Sequence, residues 1–206
     1  MRKEIGSNFW FNRYKKFEDK QISLDHLKIY IRDKAFLSTG RGAISFVLDH
    51  IKTFNDRKVA LLPSLTCYSV IEPFVNAGYK VFYYRINKNL SCNKKLFLAD
   101  IERFRPSVIL VHEYFGFNTL KHVEDVISEA KNLGITVIND ITQALYSRFE
   151  HVPADYYIFS FRKWSALPDG GCAISVEKPF LYKPLKIDVK LQEAKTKAFH
   201  AKHLYI

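Results

Sequence analysis

Two residues with reactive side chains follow short apolar runs of the sequence. Lys163 comes shortly after residues 157–159 (Tyr-Ile-Phe) and directly precedes Trp164, so we expect its amine to be poorly solvated. Desolvation lowers the pKa of a lysine and makes the amine a better nucleophile toward an aldehyde. Asp140 ends another such run, where a carboxylate can hold a ring nitrogen protonated or cap a helix. The chemistry indicated is covalent capture of a carbonyl compound; a surface lysine just past a strand is the alternative.

A turn with two glycines could bind a phosphate. Residues 38–42 (Ser-Thr-Gly-Arg-Gly) stand at the predicted start of a helix, where backbone N–H groups and the positive end of the helix dipole face an anion. No Gly-Lys-Ser/Thr follows, as a P-loop requires, and no strand is predicted before the turn, as a dinucleotide-binding fingerprint requires. ATP and NAD are therefore disfavoured as ligands.

The scaffold predicted for these residues is an α/β domain. Runs rich in β-branched and aromatic residues predict strands at 59–62, 80–86, 107–111, 135–139, 156–161 and 172–176. Apolar spacing predicts helices at 42–51, 69–77 and 121–133. Pro73 fits the second helix only near its first turn. Strands that alternate with helices predict a mostly parallel sheet with helices on both faces.

The unusual residues fall where the predicted strands end. They lie in segments 63–68, 112–116, 140–143, 162–163 and 168–171. Ligands of open parallel sheets bind beyond the carboxyl ends of the strands, because loops and helix N-termini converge there. One edge of the sheet should therefore hold an acid, a lysine, an aromatic ring and a glycine-rich turn.

Together these motifs resemble the DegT/DnrJ/EryC1/StrS aminotransferases, which are sugar aminotransferases of fold type I that depend on pyridoxal 5'-phosphate (PLP). The matching segments are 39–43 (TGRGA), 62–68 (LPSLTCY), 111–116 (VHEYFG), 139–144 (NDITQA) and 159–163 (FSFRK) with 169–171 (DGG). The resemblance covers roughly residues 36–176. The order of the motifs is far more specific than any one of them.

The resemblance implies the residues that would surround the cofactor ring. Lys163 would form the Schiff base with PLP, and Asp140 would face the pyridine nitrogen. Gln143 would lie near the phenolic oxygen of the ring, and Tyr68 would stack on the ring face. His112 matches a family position near the cofactor, with a purely structural histidine as the alternative.

The resemblance also implies a phosphate site. Its residues would be Gly40, Arg41, Gly42, Ala43 and Ser160, and we infer that Arg162 could add a cation there. Two features depart from the family pattern. Ser160 and Lys163 are closer in sequence than in many members, and Arg41 replaces a small residue or threonine.

The length of the chain indicates a single domain, residues 1–206, and the resemblance implies that it is a PLP-binding large domain. We divide it into an N-terminal helical segment (1–35), a sheet core (36–176) and the start of an interrupted C-terminal region (177–206). Complete family members continue into a C-terminal small domain, so we expect this chain to be a fragment or a truncated gene product.

The function implied is amino transfer from an amino acid, with glutamate as the expected donor, to a keto sugar carried on a nucleotide. Family members are homodimers, so a homodimer is expected. A second hypothesis is a truncated, non-catalytic homologue that keeps the fold and possible PLP binding. A third, sugar dehydration, is disfavoured because Lys163 occupies a position where that reaction usually has histidine.

Composition bounds the class of protein. With 48% hydrophobic residues the chain should fold rather than be disordered. It has no apolar run that could cross a bilayer and no secretory leader pattern, so the cytoplasm is the expected compartment. Cys67, Cys92 and Cys172 form no CxxC pair, which disfavours a disulfide framework and a thiolate metal site. The net charge of +11 could steer an anionic substrate, while the lack of zinc-finger spacing and of an RNP-type motif disfavours nucleic-acid binding.

Overall fold

The computed structural model describes residues 23–165, 167–185 and 188–205. Most of the predicted N-terminal helical segment (1–35) therefore lies outside the described residues. Its described part contains a single 3-10 turn, Asp25–Leu27, and then the first strand of the sheet. Among the described residues no helix combines the length and the apolar character that a membrane span requires.

Strands of the described residues form one seven-stranded sheet in the order β1-β7-β6-β5-β4-β2-β3. Their bounds are Asp33–Leu37 (β1), Val59–Pro63 (β2), Lys80–Tyr84 (β3), Val108–His112 (β4), Thr136–Asp140 (β5), Tyr156–Ser160 (β6) and Gly171–Ser175 (β7). Strands β2 to β6 pair in parallel, whereas β7 pairs antiparallel with both β6 and β1. The predicted mostly parallel sheet is confirmed.

Helices cover both faces of the sheet, as predicted. The α-helices of the described residues are α1 (Gly40–Ile51), α2 (Tyr68–Asn76), α3 (Lys94–Phe104), α4 (Glu124–Asn132) and α5 (Val189–Tyr205), of which α1 to α4 contribute to the buried cores on the sheet. Successive side chains of a strand point to opposite faces, so Leu61 and Leu62 of β2 belong to separate cores. Leu62 packs in the core of α1 and α2, and Leu61 in the core of α3 and α4.

Two sequence-based expectations about local structure were wrong. A strand does precede the glycine turn, because Asp33–Leu37 pairs antiparallel with β7 at the edge of the sheet. Its short, mixed sequence gives no clear strand pattern. Pro73 lies in the middle of α2 rather than in its first turn. Its ring nitrogen cannot donate to the carbonyl of Ser69, so this short helix forms without that hydrogen bond.

Helix α3 was not predicted, although its start carries a recognisable cap. The side chain of Asn93 accepts a hydrogen bond from the backbone N–H of Leu96 (3.1 Å), which satisfies one of the donors left open at a helix N-terminus. Phe97 and Ile101 of this helix are buried against the sheet. The helix completes the βα alternation between β3 and β4 and places these two strands in parallel.

Candidate functional site

A cleft of about 640 Å³ opens at the carboxyl edge of the parallel strands. Residues that line it include Gly40, Arg41, His112, Asp140, Gln143, Ser160, Arg162 and Lys163. They come from the start of α1, from the ends of β4, β5 and β6, and from the turns that follow β5 and β6. The fold therefore brings together most of the residues that the sequence selects. Tyr68, Gly42 and Ala43 do not line this cleft.

Asp140 lines the cleft at the end of β5, and β5 lies between β4 and β6 in the sheet. Its side chain is buried, and its Oδ1 accepts a hydrogen bond from the backbone N–H of Thr142 (2.9 Å). The residues that follow form a turn and not a helix, so the helix-cap alternative does not hold. The second carboxylate oxygen, Oδ2, lies 3.5 Å from Nδ1 of His112.

His112 is placed beside Asp140 by the strand register, which pairs these two residues across β4 and β5. The residue is only 6% exposed, and among the described residues neither ring nitrogen has a hydrogen-bond partner. Buried polar atoms are nearly always hydrogen-bonded in folded proteins. The imidazole therefore offers unpaired polar atoms at the wall of the cleft, where a bound molecule could satisfy them.

Lys163 ends a 3-10 turn, Phe161–Lys163, that continues from β6. The turn is anchored at its start, where the backbone N–H of Phe161 donates to the carbonyl of Gly170 (3.1 Å). Lys163 is exposed, so the expectation that it is poorly solvated is not met. The turn lies beyond the end of the strand, which leaves the lysine open to the cleft and to solvent.

The glycine turn at the start of α1 has two backbone donors that remain open. The N–H of Gly42 donates to the side chain of Thr39 (2.9 Å), and the N–H of Ala43 donates to the carbonyl of Thr39 (3.0 Å). The N–H groups of Gly40 and Arg41 have no hydrogen-bond acceptor among the described residues. An anion at this helix terminus would therefore be bound by the backbone of Gly40 and Arg41.

The side chain of Arg41 is turned toward α2. Its guanidinium forms an ion pair with Glu72 at 2.7 Å, and both residues are partly exposed. The cation is therefore shared with a carboxylate, and Arg41 is better placed to contribute its backbone N–H than its side-chain charge.

Ser160 lies next to the glycine turn at the start of α1. Gly170 and Gly171, which lead into β7, contact both Ser160 and this turn. The Ser160 hydroxyl donates to the carbonyl of Gly170 (3.2 Å), and the backbone N–H of Gly170 donates to the carbonyl of Ser38 (2.7 Å). A Cβ on Gly40 would lie 3.3 Å from the Cβ of Ser160. These contacts hold the serine beside the open donors at the start of α1.

Gln143 lies in the lining of the cleft, whereas Tyr68 lies outside it. Gln143 lines the cleft, and its Oε1 accepts a hydrogen bond from the backbone N–H of Phe115 (3.0 Å). Tyr68 is the first residue of α2 and is 70% exposed, while its neighbours Cys67 and Ser69 line the cleft. The stacking role implied for Tyr68 stays a prediction.

Sequence reasoning missed one charged pair at the cleft. Lys195 of α5 contacts Asp169, with 3.0 Å between the Nζ and Oδ2 atoms, and both residues line the cleft. Asp169 directly precedes Gly170 and Gly171, and these two glycines mark the turn in the sequence. Nothing in the local sequence marks Lys195, because a contact across 26 residues depends on where α5 lies relative to the turn that precedes β7.

Comparison with known proteins identifies relatives of this chain. A sequence model of the DegT/DnrJ/EryC1/StrS aminotransferase family matches residues 13–179. No curated protein sequence matches the chain.

Among solved structures, 3-amino-5-hydroxybenzoic acid synthase is similar over 86% of this chain and 43% of its own, with 12% identity and a TM-score of 0.61. A point mutant of GDP-4-keto-6-deoxymannose-3-dehydratase with bound GDP-perosamine covers 74% and 42% (14% identity, TM-score 0.60). The sugar aminotransferase CalS13 from Micromonospora echinospora covers 79% and 44% (16% identity, TM-score 0.55). The chain thus spans less than half the length of these structures, and at such identities the likeness shows the fold.

Proposed function

Because the chain belongs to the DegT/DnrJ/EryC1/StrS aminotransferase family, we propose that its cleft binds PLP through Lys163 and serves amino transfer to a nucleotide-linked keto sugar. Glutamate is the proposed amino donor. The observation that carries the proposal is the arrangement of Lys163, the buried carboxylate of Asp140 and two open backbone donors around the same cleft. Those are the groups that an aldehyde, a pyridine nitrogen and a phosphate require.

The fit to PLP is tested by the unpaired groups of the cleft. Among the described residues, the ring nitrogens of His112 are buried and make no hydrogen bond, although Nδ1 lies 3.5 Å from Oδ2 of Asp140, and the N–H groups of Gly40 and Arg41 have no acceptor. A phosphorylated ring compound would supply polar atoms to both. The residues present therefore fit the cofactor.

Each residue has a proposed task. When bound, PLP supplies an electron sink for the electron pair released at the substrate carbon. Lys163 would hold the cofactor covalently and would carry a proton to and from the reacting substrate carbon. Asp140, with its fixed and buried carboxylate, would keep a proton on the ring nitrogen.

The phosphate would be bound by the backbone of Gly40 and Arg41 together with the hydroxyl of Ser160, which would exchange its hydrogen bond to the carbonyl of Gly170 for one to the phosphate. Gln143 would contact the phenolic oxygen of the ring. Gly42 and Ala43 support the turn through their hydrogen bonds to Thr39. Tyr68 would stack on the ring only if its exposed side chain turns toward the cleft.

The substrate class is proposed from charge and from relatives. Arg162 lines the cleft beside Lys163, whereas the charge of Lys195 is shared with Asp169. A cation such as Arg162 favours an anionic substrate. The dehydratase relative was solved with GDP-perosamine, a nucleotide sugar. Both facts support a keto sugar carried on a nucleoside diphosphate.

The proposed assembly is a homodimer in the cytoplasm. Exposed aromatic side chains of Tyr68, Phe115 and Phe117 lie on or next to segments that line the cleft, and such a group is typical of a protein interface. The free cysteines Cys67, Cys92 and Cys172 fit a reducing compartment.

The test is titration of the purified protein with PLP. We expect a visible absorption band that Lys163→Ala abolishes and that Lys121→Ala, at an exposed lysine away from the cleft, preserves. Borohydride reduction should then fix the label at Lys163 in a peptide digest. If the intact chain gives no band, the cofactor proposal is wrong.

Addition of glutamate separates catalysis from binding alone. Loss of the visible band, with formation of the amine form of the cofactor, supports amino transfer. A band that glutamate leaves unchanged supports instead the non-catalytic homologue that retains PLP binding.

A further inference from the structure

We infer that Trp164 is a positioning residue, which fixes the turn that carries Lys163 against the turn that carries Asp140 and Gln143. This inference rests on the proposed function, because those turns hold the proposed cofactor residues. Trp164 touches neither substrate nor cofactor in the proposed site, and acts through the backbone on its two neighbouring turns.

The indole N–H of Trp164 donates a hydrogen bond to the backbone carbonyl of Thr142 (2.5 Å). Among the described residues this is the hydrogen bond that joins segment 161–165 to segment 140–147. The ladder between β5 and β6 ends at the pair Asp140 and Ile158, followed by one bond from the Ile141 N–H to the Ile158 carbonyl (3.0 Å). Beyond that point, among the described residues, the indole supplies the hydrogen bond between the two turns, which otherwise meet only through apolar packing.

Aromatic packing holds the indole in place. The Trp164 ring meets the Tyr146 ring edge to face, with 5.4 Å between the ring centroids. Tyr146 is stacked in turn on His26 (5.0 Å), whose Nε2 lies 3.1 Å from the carbonyl of Leu145. The turn after β5 is thereby in contact with Trp164 on one side and with the 3-10 turn Asp25–Leu27 on the other.

Lys163 depends on this arrangement because its own side chain has no ion pair or hydrogen bond among the described residues. The lysine turn is anchored at its start by the bond from Phe161 to Gly170. Trp164 anchors its other end. Removal of the indole donor would leave the lysine on a turn held at one end only.

The experiment compares Trp164→Phe with Tyr146→Phe in the full chain. The first change removes the donor and keeps an aromatic ring. The second is the matched control, because it keeps the ring contact and removes a hydroxyl that has no hydrogen bond among the described residues. A third variant carries benzothienylalanine at position 164, which has the shape of tryptophan and no N–H donor.

The first readout is backbone hydrogen exchange of the protein without PLP. We expect faster exchange in segment 140–147 for both variants at position 164, and wild-type exchange there for Tyr146→Phe. The second readout is the PLP dissociation constant, which should rise because binding must then order a turn that the indole no longer fixes; the net value of one hydrogen bond limits this rise to roughly tenfold. Unchanged exchange and unchanged affinity in the benzothienylalanine variant would overturn the inference. So would an acceleration spread over the whole sheet, because Trp164 would then act as an ordinary core residue.

The two proposals fail in different ways. If the wild-type chain gives no lysine-dependent PLP band, the proposed function fails, while the exchange experiment still decides whether Trp164 joins the two turns. If PLP binds normally and exchange in segment 140–147 is unaffected by loss of the donor, only the role of Trp164 fails.

Discussion

Gly171 approaches Thr39 so closely that a Cβ at position 171 would lie 2.3 Å from the Thr39 carbonyl carbon and oxygen. The first residue of β7 is thereby pressed against the turn that starts α1. No side chain fits there without movement of backbone, so Gly171→Ala should lower the free energy of unfolding by about 1–3 kcal/mol or more. It should also weaken PLP binding, because it displaces the open donors of Gly40 and Arg41. Urea denaturation and PLP titration measure the two effects.

Gly134→Ala is the control for this prediction. Gly134 has a φ of +78°, and a Cβ there would meet nothing within 4 Å. The change should cost about 1 kcal/mol for the left-handed backbone alone and leave PLP affinity unchanged. Wild-type stability and PLP affinity in Gly171→Ala would contradict the close approach of β7 to Thr39.

Cys67 should be the first of the described cysteines to react with iodoacetamide. It is exposed at the cleft, whereas burial raises the pKa of Cys92 to about 11 and that of Cys172 to about 12. Because the thiolate is the reactive form, the two buried thiols should stay unmodified until the protein unfolds. Mass spectrometry of a digest after timed labelling identifies the modified positions.

Bound PLP should slow the labelling of Cys67 because the thiol lines the same cleft as Lys163. In Lys163→Ala this protection should weaken, which separates specific binding from nonspecific effects of PLP. Equal rates of labelling with and without PLP in the wild-type chain would place the cofactor elsewhere.

The strands and the cleft could be predicted from sequence because both depend on local patterns. Apolar runs such as residues 108–111 are unambiguous, and the carboxyl ends of parallel strands necessarily meet. The order of Asp140, Ser160 and Lys163 along the chain, each at or just past the end of a predicted strand, is therefore enough to place all three at one edge of the sheet.

The rest depends on contacts between distant residues. Strand β1 is short and of mixed polarity, and it is stabilised by pairing with β7, which lies far along the chain. The contacts of Trp164 with Thr142 and of Lys195 with Asp169 have no local signature. Solvation of Lys163 was predicted wrongly for a related reason, because a hydrophobic neighbourhood in sequence did not become a hydrophobic neighbourhood in space.

Glu113 should be among the polar residues most important for stability. Its buried carboxylate contacts Nδ1 of His151 (2.5 Å), the side-chain amide of Asn139 (2.9 Å) and the backbone N–H of Val152 (3.2 Å). Glu113→Ala would leave Nδ1 of His151 and the N–H of Val152 buried without this acceptor, while the amide of Asn139 would keep only its longer bond to the carbonyl of Val152 (3.4 Å). We expect a loss of about 3–5 kcal/mol in the free energy of unfolding, measured by urea denaturation.

Glu124→Ala provides the comparison, since Glu124 pairs with the exposed Lys121 at 2.7 Å. A surface ion pair of this kind contributes about 0–1 kcal/mol. Similar losses in the two variants would show that the contacts of Glu113 are not the buried network that the structure describes.

His50 should make the stability of the protein depend on pH. Burial lowers the pKa of His50 below its usual value of 6.5, the charge of Lys178 lowers it further, and Asp33 opposes the shift. Nδ1 of the ring lies 3.0 Å from the hydroxyl of Tyr156. Between the folded and unfolded pKa values the unfolded chain binds more protons, so stability rises with pH through that window and is complete above about pH 6.5.

The measurement is the free energy of unfolding of wild type and His50→Gln between about pH 5 and pH 8, the range in which an unperturbed histidine changes its charge. Glutamine keeps a polar side chain at the position and removes the titration. The difference between the two proteins isolates His50, because the other titratable groups are present in both. That difference should be constant above about pH 6.5 and should change on acidification by at most about 1.4 kcal/mol per pH unit, the limit for one proton.

The sign of the change follows from the lowered pKa of His50. Acidification should lower the free energy of unfolding of the wild type more than that of the variant. A difference that stays flat across the whole range would mean that the imidazole of His50 is as easily protonated in the folded protein as in the unfolded chain.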